Sequence, residues 1–432
     1  MEYNRPDNIN DTLSASLIQS KGGVVRNMPT WSVVLLLILL LILASTSYYF
    51  LIYKKQKSIA VPVYVGGTLA TSTNTVKNNN SSTNTPIIDT VLSSNTNITL
   101  PGIEKLFYTI WPDAITGYTF NKEGSIIFQD KATGHIYKAN KPDYESYKIA
   151  NTSINNLHLS FFANDGQTII FQTLNQNNNT LSTYIADIAN YNGKAANLYN
   201  NAYLGDKIYN ISVSPDTKYI AYILEDNKKY NSNIYNLDAR NRDIKLIYSY
   251  PLPGMNLQYY STTSISIYQS PGENKVSQSY ILNIKNSNLT PILKEEQLII
   301  NINNAGYLYS NRLGLFLQNK KITSKFSFYT TANKCIWSHT STYILCGVNE
   351  NYNSDNLNEY LDQSKIYADN LYIHGIDYTD EKVIYDFITY SGTSVHIYNM
   401  SISYDNENLA IMDQVRGLYL LKIYNILSAE SQ

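Results

Sequence analysis

A short pattern of strand, polar turn and strand recurs along most of this chain, and it limits the possible folds more than any other feature. In Ile211–Ile223, apolar residues alternate on both sides of Ser-Pro-Asp-Thr-Lys, a composition typical of a tight turn between two strands. Six further segments follow the same plan: Gly117–Gln129, Leu157–Gln172, Met255–Gln269, Leu298–Ser310, Cys335–Val348 and Met400–Asp413. This spacing predicts a repeat fold, because each copy recurs after about 40 to 50 residues.

Each copy continues into two further strand-like runs, as in Asn233–Asp238 and Asp243–Tyr250 after the third copy. Four short strands per repeat are typical of a propeller blade, since radial closure of such sheets leaves only short, protected edges. A β-sandwich would also give alternating strands, but it need not repeat the same turn at this spacing. We therefore predict an all-β fold, a seven-bladed β-propeller with four-stranded blades.

The seventh repeat has one strand fewer than the others before the propeller pattern ends. Glu104–Ile110 is an apolar run that precedes the first copy and has no other partner. We expect it to pair with Gly417–Ile423, so that an N-terminal strand closes the ring.

Two of the hairpins resemble the WD40-like and TolB-like propeller repeats, in which a strand ending in Ser-Pro-Asp-Gly leads into an apolar strand. They are SPDTKYIAY (Ser214–Tyr222), which has the Ser-Pro-Asp, and ANDGQTIIF (Ala163–Phe171), which has the Asp-Gly. Other segments resemble a group of membrane-anchored propellers of uncharacterised function from small-genome bacteria: Lys131–Asn140, Ile149–Ile154 and Cys335–Val348. The resemblance spans roughly residues 100–425 and implies a fold and a membrane location, without implying an activity.

The N-terminal region contains an apolar run, Trp31–Tyr53, that is long enough to cross about 30 Å of hydrocarbon at about 1.5 Å per residue. A cleaved signal peptide is the alternative, with Val33–Ala44 as its apolar region and Ser45–Ser47 as small residues for cleavage. The run continues past that point and stops at Lys54, as in a retained anchor. We therefore predict one transmembrane helix over residues 31–53, in contact with membrane lipid.

Charge does not decide the orientation of this helix, because three basic residues precede it and three follow it closely. The polar, low-complexity segment Thr68–Pro86 is typical of an extracellular stalk, which places the C-terminal side outside the membrane. The predicted organisation is a cytoplasmic tail (1–30), the membrane helix (31–53), a polar flexible stalk (54–100), the propeller (101–425) and a C-terminal tail (426–432). The expected location is the cell membrane, single-pass, with an extracytoplasmic domain.

The composition argues against nucleic acid as a partner. Only 16% of the residues are charged and the formal net charge is -1, so no field attracts nucleic acid over the whole surface. The 40 tyrosines favour strands, because their rings fit a half-buried pleated surface while each hydroxyl stays in contact with water.

No catalytic pattern stands out in the sequence. The chain contains no G-x-S-x-G nucleophile elbow, and arginine is scarce between Arg26 and Arg240, which disfavours a sialidase. The five histidines show no metal-ligand spacing: His135, His158, His339, His374 and His396. We assign no catalytic residue, no cofactor and no nucleic-acid partner, although remote residues can still meet at the axis of a propeller.

The longest interruption within a repeat is the polar segment Asn349–Asp369. Five of its residues match positions 1, 3, 5, 9 and 12 of a calcium-loop template: Asn351, Asn353, Asp355, Glu359 and Asp362. Position 6 is Asn356 instead of glycine, and position 12 is the shorter aspartate instead of glutamate. The segment is thus a weak calcium candidate, and a solvated loop or a partner-binding loop are the alternatives.

The two cysteines, Cys335 and Cys346, belong to the same hairpin. Aligning this hairpin with the third copy places Ser338 opposite Tyr343, and counting three residues outward on each strand puts the cysteines opposite each other. The distance between the Cα atoms of two residues opposite each other in an antiparallel pair suits a disulfide. An even cysteine count also fits an oxidising compartment. Two buried thiols in a cytoplasmic propeller are the alternative.

These features together predict a membrane-anchored, non-catalytic binding or scaffolding module for a protein or a cell-envelope ligand such as a glycan. The alternative is an envelope hydrolase or lyase with an active site at the propeller axis. Charged and imidazole groups that converge at one mouth of the channel would favour the enzyme. An apolar or tyrosine-rich surface would favour binding.

Overall fold

The computed structural model describes residues 106–429 except 177–178, 190–194, 227–230, 273–274, 320–321, 350–367, 377–380 and 414. Its strands form seven sheets, each of four antiparallel strands. The predicted all-β, seven-bladed propeller with four-stranded blades is therefore confirmed. The predicted membrane helix (31–53) and stalk (54–100) lie outside the described residues. Among the residues described, no helix is long and apolar enough to cross a bilayer.

Six blades use four consecutive strands each. Blade 1 contains β2 (Ile115–Phe120), β3 (Ile126–Asp130), β4 (Ile136–Ala139) and β5 (Ser146–Ala150). Blade 2 contains β6 (Leu157–Ala163), β7 (Thr168–Asn175), β8 (Thr180–Asp187) and β9 (Tyr199–Asp206). Blade 3 contains β10 (Ile208–Val213), β11 (Tyr219–Asp226), β12 (Asn231–Asp238) and β13 (Ile244–Tyr250). Blade 4 contains β14 (Met255–Ser261), β15 (Ser264–Gln269), β16 (Val276–Asn283) and β17 (Leu289–Glu296).

Blade 5 contains β18 (Ile299–Asn303), β19 (Gly306–Asn311), β20 (Gly314–Asn319) and β21 (Thr323–Lys325). Blade 6 contains β22 (Cys335–Trp337), β23 (Tyr343–Val348), β24 (Asn370–Gly375) and β25 (Glu381–Tyr385). Blade 7 contains β26 (Asn399–Ile402), β27 (Asn408–Asp413), β28 (Gly417–Lys422) and β1 (Phe107–Trp111). Short helices accompany the strands: 3₁₀ turns at Asn164–Gly166 and Ala332–Lys334, α1 (Phe387–Ser391) and α2 (Ile423–Ala429).

The seven repeated hairpins are the first and second strands of the seven blades, as the sequence predicts. Three of their turns share one set of hydrogen bonds: Ser214–Tyr219, Ser338–Tyr343 and Ser403–Asn408. In each, the serine hydroxyl accepts the backbone N–H five residues later, at 2.9, 3.2 and 3.0 Å respectively. The serine N–H also bonds the carbonyl of that later residue, so the hydroxyl fixes the turn that joins the two strands.

The fourth residue of these turns has a positive φ, where glycine is the usual choice, yet here it is Thr217, Ser341 or Asn406. Each of these side chains accepts a hydrogen bond from the preceding blade. Thr217 Oγ1 accepts the Asp165 N–H at 2.9 Å, and Asn406 Oδ1 accepts the His339 N–H at 3.0 Å. The polar side chain therefore replaces glycine because it links the turns of adjacent blades.

Every blade carries an aromatic residue near the middle of its third strand. These residues are Tyr137, Tyr184, Tyr235, Tyr280, Phe316, Tyr372 and Tyr419. We call them the third-strand aromatics. Each lies opposite a residue of the second strand, and several of those pairs stack, for example Tyr222 on Tyr235 with ring centroids 5.3 Å apart.

The core is divided among the seven contacts between neighbouring blades. In each hydrophobic cluster, the third-strand aromatic of one blade packs against branched aliphatic residues of the blade before it. Between blades 2 and 3, for example, Tyr222 and Tyr235 pack with Ile170 and Ile185. Each blade thus buries one face against the preceding blade and the other against the next.

Blade 7 takes its outermost strand from the start of the described chain. In this sheet β1 pairs antiparallel with β28, and Phe107 lies opposite Leu421. The Phe107 ring stacks on Tyr419 with centroids 5.1 Å apart and also contacts Phe387 at 5.3 Å. Ile110 is buried between blades 7 and 1. The strand therefore contributes backbone pairing to blade 7 and side chains to two clusters.

Deleting residues 100–112 is expected to leave the edge of β28 unpaired and to expose its apolar side chains, which invites edge-to-edge association. The deleted protein should form soluble oligomers or aggregates in size-exclusion chromatography and should melt at a lower temperature than the parent. Deletion of residues 70–82, of equal length within the low-complexity segment, is the control and should change neither property. A monomeric protein with the parental melting temperature after the first deletion would contradict this role of β1.

Candidate functional site

The first strands of all seven blades border two adjoining cavities at the axis. The larger cavity has a volume of about 590 Å³ and is lined by blades 3 to 7. The smaller one has about 440 Å³ and is lined by blades 1, 2, 3 and 7. The two share Ile211–Val213 and Met400 among their lining residues, so they adjoin along these strands. Volumes of this size suit a small ligand or a short polymer segment.

The larger cavity is lined mainly by aliphatic, aromatic and uncharged polar side chains, and the aromatic ones are Tyr259, Tyr260, Tyr268 and Trp337. Its aliphatic residues are Ile211, Val213, Leu257, Ile300, Ile302, Ile336, Ile397 and Met400. Its uncharged polar residues are Ser212, Gln258, Asn301, Asn333, Asn399 and Ser401. Neither cavity has an aspartate or glutamate among its described lining residues. The wall therefore offers hydrogen bonds and apolar contact without a carboxylate.

Some polar side chains of the first strands already form hydrogen bonds between blades. Asn210 Nδ2 donates to the Met255 carbonyl at 3.2 Å, and Ser212 Oγ accepts the Tyr259 N–H at 2.9 Å. Asn301 Nδ2 donates to the Cys335 carbonyl at 2.8 Å. In each case a side chain of one blade bonds the backbone of the next blade's first strand. These bonds satisfy backbone groups on the strand edge that faces the axis.

Four other polar side chains of the wall remain available. Within the described part of the chain, the side chains of Gln258, Asn333, Asn399 and Ser401 make no hydrogen bond to protein. Each can donate and accept, so the four provide recognition groups without net charge. No motif in the sequence marks these four residues. Alignment of the seven hairpins would have placed Gln258 and Ser401 on first strands, but only the fold shows which hydrogen-bonding groups are left over.

Lys334 is the charged residue among the described lining residues of the larger cavity, which also include the imidazole of His339. Its Nζ lies 2.8 and 2.7 Å from the two carboxylate oxygens of Asp369, and both side chains are buried. Asp369 also accepts the Ile397 N–H at 2.8 Å. Burial lowers the pKa of the Lys334 ammonium, and the Asp369 charge opposes that shift. The pair links blade 6 to the segment before β26 and neutralises the cation.

The five histidines of the sequence are not brought together. His135 and His158 belong to blades 1 and 2, His339 and His374 to blade 6, and His396 lies just before β26. His339 borders the larger cavity, where its Nε2 bonds the Ile402 carbonyl at 3.1 Å and its ring stacks on Tyr404. Across the described residues, no group of three or more His, Cys, Asp or Glu side chains could hold a metal ion. The calcium candidates Asn351, Asn353, Asp355, Glu359 and Asp362 lie outside the described residues.

Cys335 and Cys346 lie directly opposite each other in the pairing of β22 with β23. Their Cα atoms are 4.1 Å apart and their sulfur atoms are bonded. Both are buried between blades 5 and 6, where they occupy positions that Ile211 and Tyr222 hold in blade 3. The disulfide thus belongs to the side chains that pack against the preceding blade. Cys335 also borders the larger cavity.

His374 lies in a different environment, on β24 near the outer strand of blade 6. Its ring packs on Phe326 with centroids 4.4 Å apart, and its Nδ1 is buried 3.7 Å from Glu381 Oε1 without a hydrogen bond. Burial lowers the pKa of His374, and the Glu381 charge opposes this shift. The neutral imidazole is therefore the form that the fold favours.

Comparisons with known proteins add no activity. No protein-family model and no curated protein matches the sequence. Similar solved structures include the propeller domain of the Trilobed protease from Pyrococcus furiosus, with 10% identity over 73% of this chain and 94% of that chain and a TM-score of 0.49. An oligogalacturonate lyase from Vibrio parahaemolyticus has 9% identity over 73% and 93% of the two chains, with a TM-score of 0.47. TolB from Acinetobacter baumannii has 12% identity over 72% and 63%, with a TM-score of 0.35.

The disulfide should be detectable in unreduced protein. Alkylation after denaturation is expected to label neither cysteine, and intact-mass measurement should show the unmodified chain until a reductant is added. Closing a loop of this length stabilises a fold by roughly 2–4 kcal/mol, so reduction should also lower the melting temperature. Labelling of both thiols without reductant would contradict the bond and would weaken the extracytoplasmic orientation.

Replacing His374 by phenylalanine should reduce the acid sensitivity of the fold. Because the folded-state pKa of His374 lies below its ordinary value of 6.5, the unfolded chain takes up the proton first. The neutral imidazole therefore contributes fully to the free energy of unfolding above the pKa of the unfolded chain. This contribution is lost as the pH falls from about 6.5 toward the pKa of the folded protein. Denaturant unfolding at pH 7.5 and pH 5.0 should show a smaller loss of stability for His374→Phe than for the wild type. An equal loss in both proteins would refute this assignment.

Proposed function

We propose that this protein is a single-pass membrane protein whose extracytoplasmic propeller binds a protein or cell-envelope ligand at the propeller axis. One observation carries the proposal: the larger axial cavity presents Gln258, Asn333, Asn399 and Ser401 without hydrogen-bond partners among the described residues. Polar groups on a wall that also holds aliphatic and aromatic side chains give a ligand both affinity and orientation.

The charge of the cavity supports binding over catalysis. A hydrolase or lyase requires an acid, a base or a nucleophile within reach of the reacting atoms. The described lining of both cavities holds no carboxylate, and the ammonium of Lys334 is paired with Asp369. The ring of His339 donates one hydrogen bond to the Ile402 carbonyl, and no carboxylate among the described residues is bonded to the ring. The second candidate, an axial enzyme, therefore gains no support from the residues that meet there.

The sequence of the N-terminal region supports the location. Trp31–Tyr53 has the length and apolarity of a membrane span, and Thr68–Pro86 has the composition of a stalk. A domain held by such a stalk would display its axis outside the membrane, within reach of envelope components. The lining without net charge suits ligands that are themselves uncharged.

Site-specific photocrosslinking tests the axial site in intact cells. With p-benzoylphenylalanine at Asn399, which is exposed and borders the cavity, ultraviolet light should yield a covalent adduct with the ligand. The matched control carries the same group at Leu313, which is 70% exposed on the second turn of blade 5. An adduct from Leu313 alone, or from neither position, would contradict an axial site.

Protease accessibility tests the orientation. Protease added to intact cells is expected to release the propeller by cutting within residues 68–100, where the polar composition predicts no packed structure. The released fragment would be recognised by its mass. Complete protection until the membrane is permeabilised would place the propeller on the cytoplasmic side.

A further inference from the structure

A further pocket lies at the junction of blades 7 and 1, where β1 completes the ring. It has a volume of about 250 Å³, and its lining includes Lys141, Tyr144, Glu407, Asn408, Lys422 and Tyr424. No described residue borders both this pocket and an axial cavity. A ligand held here would therefore be separate from one bound at the axis.

Two of the lining residues are neighbours on adjacent strands of blade 7. Asn408 on β27 lies directly opposite Lys422 on β28. Side chains of opposite residues share one face of a sheet, with Cβ atoms about 5 Å apart. Ala410 and Leu420 are the next pair on that face, and both pack against blade 1. The side chains of Asn408 and Lys422 therefore point to the junction that contains the pocket.

Asn408 is a buried residue whose side chain has no hydrogen-bond partner. The residue is only 4% exposed. Its backbone N–H donates to Ser403 Oγ at 3.0 Å and its carbonyl accepts the Ser403 N–H. Its side-chain amide bonds no other group in the described part of the chain. Because buried amides are normally paired, this one is available to a molecule in the pocket.

Lys422 supplies a charge without an opposite charge beside it. Its Nζ lies 5.1 Å from the centre of the Tyr108 ring, and it forms no ion pair with any described residue. The other lysine of the lining, Lys141, is bonded to Asp405 and Glu407. Lys422 is therefore the ammonium group of the described lining that can still bind an anion.

The two available groups together suit a carboxylate. The Lys422 ammonium and the Asn408 amide are both N–H donors, and a carboxylate has two oxygens that accept such bonds. We propose that this pocket binds the carboxylate of a small organic acid, whose apolar part contacts the Tyr424 ring. That ring is 60% exposed. The Glu407 carboxylate in the same lining disfavours groups with a second negative charge, such as phosphate.

The carboxylate has two potential sources. One is a free acid, and a volume equal to about eight water molecules, at about 30 Å³ each, limits its size. The other is Glu104, which precedes Leu106, the first described residue, by two positions. Phe107 pairs with Leu421, so Leu106 is next to Lys422 and the chain enters close to the pocket. The experiments below separate these sources.

Saturation-transfer NMR of the full-length protein in neutral detergent micelles tests the site with 3-phenylpropionate. The uncharged 3-phenylpropanamide should bind at least about tenfold more weakly. Lys422→Met should weaken binding of the acid about tenfold, the equivalent of about 1.4 kcal/mol, and Lys422→Arg should restore it. Lys148→Met is the matched control, because Lys148 is also half-buried over a tyrosine ring but lies outside the pocket. It should change binding by less than about twofold.

Asn408→Ala tests the second donor. It should weaken binding of 3-phenylpropionate while keeping the melting temperature of the wild type, since it removes an amide that bonds nothing in the described structure. Equal binding of the acid and the amide, or binding that neither Lys422→Met nor Asn408→Ala changes, would overturn the proposal.

Glu104→Gln identifies the source of the carboxylate. If a free acid is the ligand, this variant should bind 3-phenylpropionate as the wild type does. If Glu104 occupies the pocket, the variant should bind the probe more tightly than the wild type. Absence of binding to both proteins would refute a carboxylate site.

Discussion

The contact between one blade and the next determines most of this structure. Each blade presents a third-strand aromatic to the preceding blade, and the aromatic ring packs on branched aliphatic side chains of that blade. Six of the seven aromatics are tyrosines, five of them partly exposed, so the ring is packed while the hydroxyl reaches toward water. The abundance of tyrosine follows from repeating one interface around a ring. Polar residues such as Thr217 and Asn406 add a hydrogen bond between turns to the same interface.

This stacking also explains why unpaired backbone edges and polar groups collect at the axis, where we propose that a ligand binds. Faces of blades are buried against neighbours, whereas the first strand and the outer strand of each blade leave one edge without a strand partner. The open edges of the first strands lie around the axis. Blades 3 to 6 cover part of those edges with side chains such as Asn210, Ser212 and Asn301. Gln258 and Asn399 have no such role among the described residues. The fold thus creates a lined cavity with surplus hydrogen-bonding groups that carry no charge.

The sequence predicted the features that depend on local pattern. The seven hairpins, the four strands of each blade and the alignment that sets Cys335 opposite Cys346 all follow from a two-residue period and a repeated turn. The sequence did not predict the pairing of Lys334 with Asp369 or the surplus of polar groups around Gln258. These two features depend on which residues the fold brings together from distant positions in the sequence. No local pattern encodes such contacts. Nor does a local pattern explain the non-glycine residues at positive φ, because their side chains accept hydrogen bonds from the preceding blade.

The central claim is that the ligand binds at the axis. Hydrogen–deuterium exchange of the full-length protein, with and without solubilised membranes from the cells that express it, measures this most directly. Amides on the open edge of β14 and β26, other than that of Tyr259, which donates to Ser212, should exchange readily in the isolated protein and should become protected when the ligand is present. Protection confined to outer strands such as β9 and β13, with β14 and β26 unchanged, would contradict the axial site.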